Sequence, residues 1–319
     1  MKKIIISALM MISASASFAQ DLEFTQFYAN PVYLNPAFTG THGCPRFAMN
    51  YRDQWPGLSG SYRSFAAAYD QYFDNISGGF GVMAVNDVQA NTIYNTTAAL
   101  TYSYHLRINR KWTALFGAKG AYSFNSLDYS KLTFGDQIDI RRGFIYSTKD
   151  VQGENNTRQY FDASAGGVIF NKNFNIGFAA NHLNTPNNSL IGGDSPLPMR
   201  FTGHASANIP LGRQSKFKNT TTIMPSILYS YQQGFQQLNI GSYIKYSNFV
   251  AGAYFRNRDA FILTFGIATD TFRLGYSYDV TVSRLNNGVS NGSHEISMQF
   301  LARCRRKPVK FRTINCPTF

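Results

Sequence analysis

Residues 92–107 read TIYNTTAALTYSYHLR. Successive side chains of an extended chain point to opposite sides, so Tyr94, Thr96, Ala98, Leu100, Tyr102, Tyr104 and Leu106 share one face. Asn95, Thr97, Ala99, Thr101, Ser103, His105 and Arg107 share the other. One face is oily and the other wet. The run outlasts the roughly five or six residues of a soluble strand and covers the roughly 9–11 that a tilted strand needs to cross a bilayer. TFRLGYSYDVTVS at 271–283 repeats the pattern, with Phe272, Leu274, Tyr276, Tyr278, Val280 and Val282 against Arg273, Gly275, Ser277, Asp279, Thr281 and Ser283. In WTALFGAKGAYSF at 112–124, Trp112, Ala114, Phe116, Ala118 and Tyr122 face outward and Lys119 inward. A lysine suits a watery lumen and not lipid.

Outward from these three stretches, the same reading gives about fourteen segments, the even number expected of a transmembrane antiparallel β-barrel. They lie near 45–54, 61–72, 78–88, 92–106, 111–125, 159–170, 173–184, 199–209, 220–232, 235–246, 248–256, 260–269, 271–283 and 293–303. Connections after even-numbered segments are mostly short and those after odd-numbered ones mostly longer, including 126–158 and 185–198. That asymmetry predicts periplasmic turns, extracellular loops and both termini in the periplasm. Composition agrees: aromatics reach 15% while charged residues are held to 15%, and 26 glycines suit crowded walls. A soluble β-sandwich is the structural alternative, but it needs neither such long strands nor so many Tyr and Phe on one face.

The remaining segments flank this wall. Residues 1–19 read as a secretory leader: Lys2 and Lys3, an apolar run Ile4–Ile12, and a small-x-small site ending at Ala19. Residues 20–44 are expected to form a periplasmic N-terminal segment tucked under or into the barrel mouth. Within it, QFYANPVYLNPAFTG at 26–40 holds two Asn-Pro steps that leave no room for regular structure between them. Pro31 and Pro36 fix their φ angles and push Asn30 and Asn35 out of the helical region, so the chain bends twice. Phe27, Tyr28, Tyr33 and Phe38 then need a dry surface, by covering the rim, plugging the barrel or binding a partner. Residues 45–303 form the barrel, and 304–319 form a basic tail.

Charge concentrates in that tail. The formal net charge is +13, or +11 without the two leader lysines. Arg303, Arg305, Arg306, Lys307, Lys310 and Arg312 follow Glu295 with no further acid. In the periplasm nucleic acid is excluded, so the partners expected of Arg305, Arg306, Lys307 and Lys310 are acidic protein surfaces or lipid headgroups. Cys44, Cys304 and Cys316 suit an oxidising compartment. Neighbouring first and last strands would let Cys44 meet Cys304, yet three pairings are open and one thiol is left over. No C-x-x-C pair suggests a metal, and no cofactor is expected.

Four separated motifs carry a resemblance: YANPVYLNPAFTG at 28–40, YRDQWPG at 51–57, LGYSYDVTVSRL at 274–285 and GSHEISM at 292–298. In this order, and with the closing FRTINCPTF, the chain resembles the PorP/SprF family of outer-membrane proteins of the type IX secretion system. The resemblance implies a non-enzymatic role supporting secretion or surface attachment of cargo such as adhesins. Its implied partners are outer-membrane lipid and periplasmic or outer-membrane components of the secretion and gliding machinery.

Catalysis finds no support in the residues themselves. His294 and Glu295 are adjacent and therefore point to opposite faces of a strand. Inward residues Asn95, Lys119, Asp162, Asn181, His204, Arg273, Asp279 and Glu295 would line water or hold an inserted segment. The alternative function is therefore an outer-membrane channel for small solutes or hydrophobic ligands.

Overall fold

A computed structural model of the chain describes residues 21–139, 141–148, 156–190, 193–211, 221–282 and 290–304. Fourteen antiparallel strands close into a barrel. They are β1 (Arg46–Gln54), β2 (Tyr62–Phe73), β3 (Gly78–Gln89), β4 (Ile93–Arg107), β5 (Thr113–Leu127), β6 (Thr157–Phe170) and β7 (Phe174–Asn181). There follow β8 (Arg200–Ala207), β9 (Thr221–Gln232), β10 (Phe235–Tyr246), β11 (Phe249–Arg256), β12 (Ala260–Ala268), β13 (Phe272–Thr281) and β14 (Ser293–Leu301). Residues Ile209–Leu211 continue the line of β8 along β9, and a two-residue hairpin decorates the loop after β5. Closure is direct: β1 pairs with β14 from Arg46↔Leu301 to Gln54↔Ser293. Among the described residues, the barrel wall therefore has no open edge strand.

All fourteen expected segments form strands. The largest shift is in β7, which ends at Asn181 and not at 184 because His182 adopts a left-handed backbone (φ 57°) and turns the chain. The alternation holds in three dimensions: Leu100 is 58% exposed on the outer wall, and its neighbour Thr101 is 1% exposed in the lumen. Phe116, Tyr122, Phe161, Phe178, Phe249 and Phe265 stand bare on the outside. Such a continuous apolar surface has no place in water and matches the lipid-facing band of a membrane barrel. Ala114 shares this register yet is buried, since its small side chain lies between Leu106 and Ile169.

The interior is filled by the segment ahead of β1. Contrary to the expectation of an irregular stretch, Pro31–Leu34 forms one helical turn, α1, and Pro36–Phe38 a 3-10 turn. Each Asn-Pro step is a cap followed by a first helical residue: Asn30 Oδ1 accepts from Tyr33 N, and Asn35 Oδ1 accepts from Ala37 N at 2.9 Å. Each buried apolar cluster among the described residues includes side chains of this strap. Phe27, Tyr28 and Ala29 pack on the β9–β12 wall, where Leu228, Tyr243 and Tyr254 wait. Phe24 and Val32 pack on Ala66, Ala68, Met83 and Ala99 of β2–β4, and Phe38 on Leu115, Val168 and Phe170 of β5 and β6.

Candidate functional site: the plugged lumen and its vestibule

The strap runs the length of the lumen. Asp21 to Gln26 lie among residues at the long-loop end of the strands, and Thr39 to Cys44 among residues at the short-turn end. Wall glycines let it pass: a Cβ on Gly117 would stand 2.2 Å from Ala37 N, and one on Gly166 2.1 Å from Asn35 Oδ1.

At the loop end an ionic cluster holds Thr25 and Gln26. Asp279 receives Arg52 Nη2 at 3.1 Å and Arg256 Nη1 at 3.0 Å, while Arg52 Nη1 also reaches Glu295 at 3.5 Å. Thr25 Oγ1 sits in the middle, donating to Asp279 Oδ2 at 2.7 Å and accepting from Arg256 Nη2 at 2.9 Å and from Arg52 Nη1. Glu295 accepts the strap's backbone N–H groups of Thr25 at 2.6 Å and Gln26 at 3.1 Å. Buried charges are costly unless paired and hydrogen-bonded, and the strap adds bonds to this set, in which Asp279 Oδ1 alone has no partner among the described residues. Further along, Ser297 Oγ donates to Gln26 Oε1 at 2.6 Å, and Gln299 donates to the carbonyl of Ala29.

A second latch holds the first described residues. His182 bonds Asp21 through Nε2 at 2.7 Å and Asp162 through Nδ1 at 3.1 Å, and Arg200 lies 3.9 Å from Asp21 and 4.0 Å from Glu23. Burial alone would lower the His182 pKa, but the two carboxylates outweigh it and push it up to about 9. Burial would raise Asp21, yet His182 and Arg200 hold it down at about 2.

At the turn end, Asp70 takes Arg46 on both oxygens at 2.8 Å and the strap's Gly40 N at 2.7 Å. Ser103 Oγ donates to the carbonyl of Thr39 at 2.5 Å. His204 Nε2 lies 3.2 Å from Asn35 Nδ2, with its ring 5.2 Å from Phe38. A Cys44–Cys304 disulfide, Cα–Cα 5.8 Å, ties the strap's exit to the end of β14.

Above the strap, at the loop end, the lumen opens into a vestibule of about 1320 Å³. Asn95, Lys119, Asp162 and Asn181 line it, whereas His204, Asp279 and Glu295 lie against the strap and Arg273 bonds Gln299 Oε1 at 3.3 Å.

Of the roles expected for the opening segment, plugging is the one its seat in the lumen matches. Phe27, Tyr28, Asn30, Pro31, Asn35, Pro36 and Phe38 are buried against the wall, and Tyr33 is partly buried with its hydroxyl on Leu22 O at 2.5 Å. They offer no surface to a partner outside the barrel while the strap is seated, because the barrel's own apolar lumen satisfies their need for a dry surface. Among the described residues, Asp21 stands at the loop end and Ala302–Cys304 at the turn end, so the segment expected under or into the barrel mouth threads the lumen from Asp21 to Cys44. Arg305, Arg306, Lys307, Lys310 and Cys316 lie outside the described residues. Arg46, Arg52, Asp70, His182 and Arg256 were missed by sequence reasoning; their only signal was a charge at an inward position of a strand or beside its end.

A closed wall with a bare apolar exterior, a charged and stoppered interior and a loop-rimmed mouth defines an outer-membrane β-barrel. Residues 16–300 match the family described as type IX secretion system membrane protein PorP/SprF, and the chain belongs to it. Among solved structures it is similar to the Ralstonia pickettii toluene transporter TbuX, at 11% identity, 86% of this chain and 94% of that chain covered, TM-score 0.46. It is also similar to the P. putida toluene transporter TodX, at 10% identity, 86% and 95% covered, TM-score 0.46. The Acinetobacter baumannii outer membrane protein Omp33 is similar at 8% identity, 81% and 98% covered, TM-score 0.43. No curated protein matches the sequence.

Proposed function

We propose that this protein is a non-catalytic docking component of the type IX secretion or gliding machinery, supporting secretion or surface attachment of cargo such as adhesins through protein contacts. Short turns face the periplasm in outer-membrane barrels, so on this reading the loop end and its vestibule meet secreted cargo. The turn end, with the basic residues Arg305, Arg306, Lys307 and Lys310, meets periplasmic components of the machinery. The leader would be removed after Ala19, which leaves the mature start near the outer mouth. One observation carries the reading: the lumen is occupied from end to end by a strap with its own ionic clamps, which opposes free diffusion of solutes.

The channel alternative requires the strap to leave its seat. Single-channel recordings in planar bilayers separate the two. The full chain is expected to stay closed and a chain lacking residues 21–40 to conduct; steady open pores from the full chain would favour the channel. In cells, the strap-deleted barrel should reach the membrane and lose cargo display.

A further inference from the structure

We propose that the loop-end vestibule is a binding site for an extended acidic polypeptide segment, with Lys119 as the group that receives its carboxylate. Lys119 projects from β5 into the vestibule, where Nζ donates to Asn181 Oδ1 at 3.1 Å. Among the described residues it has no carboxylate within 4.0 Å. Its diagonal neighbour across the β5–β6 pair, Asp162, is engaged by His182. The buried and half-buried arginines that line the vestibule are committed, Arg52 and Arg256 to Asp279 and Arg200 to the strap's own acids, while Arg258 is exposed in the turn after β11. Among the described residues, Lys119 is a half-buried vestibule cation with no carboxylate at ion-pair distance, although Asp162 and Asp21 are near enough to act on its charge.

The shape of the site favours a polypeptide over a small solute. Its volume, about 1320 Å³, exceeds the roughly 300–1,000 Å³ usual for small-molecule pockets. One side is already occupied by an extended acidic peptide, the chain's own Asp21-Leu22-Glu23. The wall reads that peptide's backbone with side chains: Gln232 Oε1 accepts from Asp21 N at 3.3 Å, and Arg200 Nη1 donates to Leu22 O at 3.2 Å. Gln54, Gln89, Asn95, Asn188 and Gln237 line the space beyond, a set of amides that matches the N–H and C=O groups of a second extended segment. Among these, Gln237 Nε2 is buried with no hydrogen-bond partner among the described residues. Among the described residues, a buried donor without a partner and an ammonium without a contact carboxylate face one cavity and fit one ligand: a chain with carbonyl oxygens and a carboxylate.

Trp55 lines the vestibule and is one of only two tryptophans, so its fluorescence reports binding in a Trp112→Phe background. The full-length barrel in detergent would be titrated with a blocked Gly-Leu-Glu-Gly peptide, its glutamine counterpart, and glutarate. The glutamate peptide is expected to bind about tenfold or more tighter than the glutamine peptide, as for a hydrogen-bonded charge pair. Lys119→Met and Lys119→Gln should abolish that preference; heat-modifiable migration on gels verifies folding, and Lys119→Gln serves if Lys119→Met misfolds. An unchanged preference in a folded Lys119 variant, or no saturable response to either peptide, overturns the inference. Glutarate binding as tightly as the glutamate peptide overturns the polypeptide assignment. The inference rests on the loop end meeting secreted polypeptide, but the binding assay contains no cargo. If peptide binding fails while cargo display in cells still depends on the strap, the inference falls alone.

Discussion

Replacing Thr25 by the near-isosteric valine removes one hydroxyl from the centre of the ionic cluster and leaves the wall untouched. That hydroxyl bonds three charged groups, Asp279, Arg256 and Arg52. Each such bond contributes about 1.5–3 kcal/mol when its loss orphans a charged partner. Here the partners keep one another, with Asp279 still 3.1 Å from Arg52 and 3.0 Å from Arg256. The backbone bonds from Thr25 and Gln26 to Glu295 also survive. The net loss is therefore nearer one to two bonds than three, about 2–4 kcal/mol. At about 1.4 kcal/mol per factor of ten, the population with an unseated strap rises roughly 30- to 700-fold. Planar-bilayer recordings read this as brief openings that become that much more frequent in Thr25→Val and return to the parental level in Thr25→Ser. Heat-modifiable migration should not change, since no strand is altered. A Thr25→Val barrel as quiet as its parent would refute the idea that these charges clamp the strap.

The wall's two faces give a second contrast. Leu100→Arg puts a charge in lipid at a cost of about 2–4 kcal/mol and should lower the yield of inserted barrel; Thr101→Arg should insert but drive out the strap, because Thr101 Oγ1 lies 3.0 Å from Thr39 Oγ1 in a filled lumen. Normal insertion of Leu100→Arg, or a quiet Thr101→Arg, would contradict that assignment. The latch at the loop end depends on pH. Raised in the folded state, the His182 pKa contributes stability that is whole below about 6.5 and is lost as pH rises through about 9, while the lowered Asp21 contribution is whole above 3.8 and is lost as pH falls toward about 2. Opening frequency should thus climb at alkaline pH, and His182→Asn should erase that dependence; a parental protein insensitive between pH 7 and 10 would argue against the latch.

Much of the wall was legible because a membrane strand obeys two constraints at once, alternation and length, and TIYNTTAALTYSYHLR displays both. The strap was legible in its chemistry and not in its position. Its prolines, caps and aromatics announce an ordered segment that needs apolar cover, but the cover is distributed over Leu115, Val168, Leu228, Tyr243 and other residues scattered along the sequence. No local pattern says that those side chains converge. The charged cluster was hidden for the opposite reason. Asp279 and Glu295 at inward positions read equally as groups that line water or hold an inserted segment, and only the three-dimensional register places them beside Arg52 and Arg256.

The last strand links the plug to barrel closure. Three alternate inward residues of β14, Glu295, Ser297 and Gln299, bond Thr25, Gln26 and Ala29 in turn. The same strand pairs with β1 and closes the sheet. The partners are about 270 residues apart in sequence, so these contacts carry a large loop-closure cost that local structure cannot offset in advance. A strap already joined to β1 at the turn end presents β14 with a second, lumen-side template, and seating the plug becomes part of closing the wall. Removal of residues 21–34 should therefore slow the appearance of the heat-modifiable form in a refolding time course without changing its final migration. Equal rates would mean that the wall closes first and the strap inserts afterwards. That order would expose the charged cluster of β1, β11, β13 and β14 to an empty, hydrated lumen before Thr25 and Gln26 bond to it.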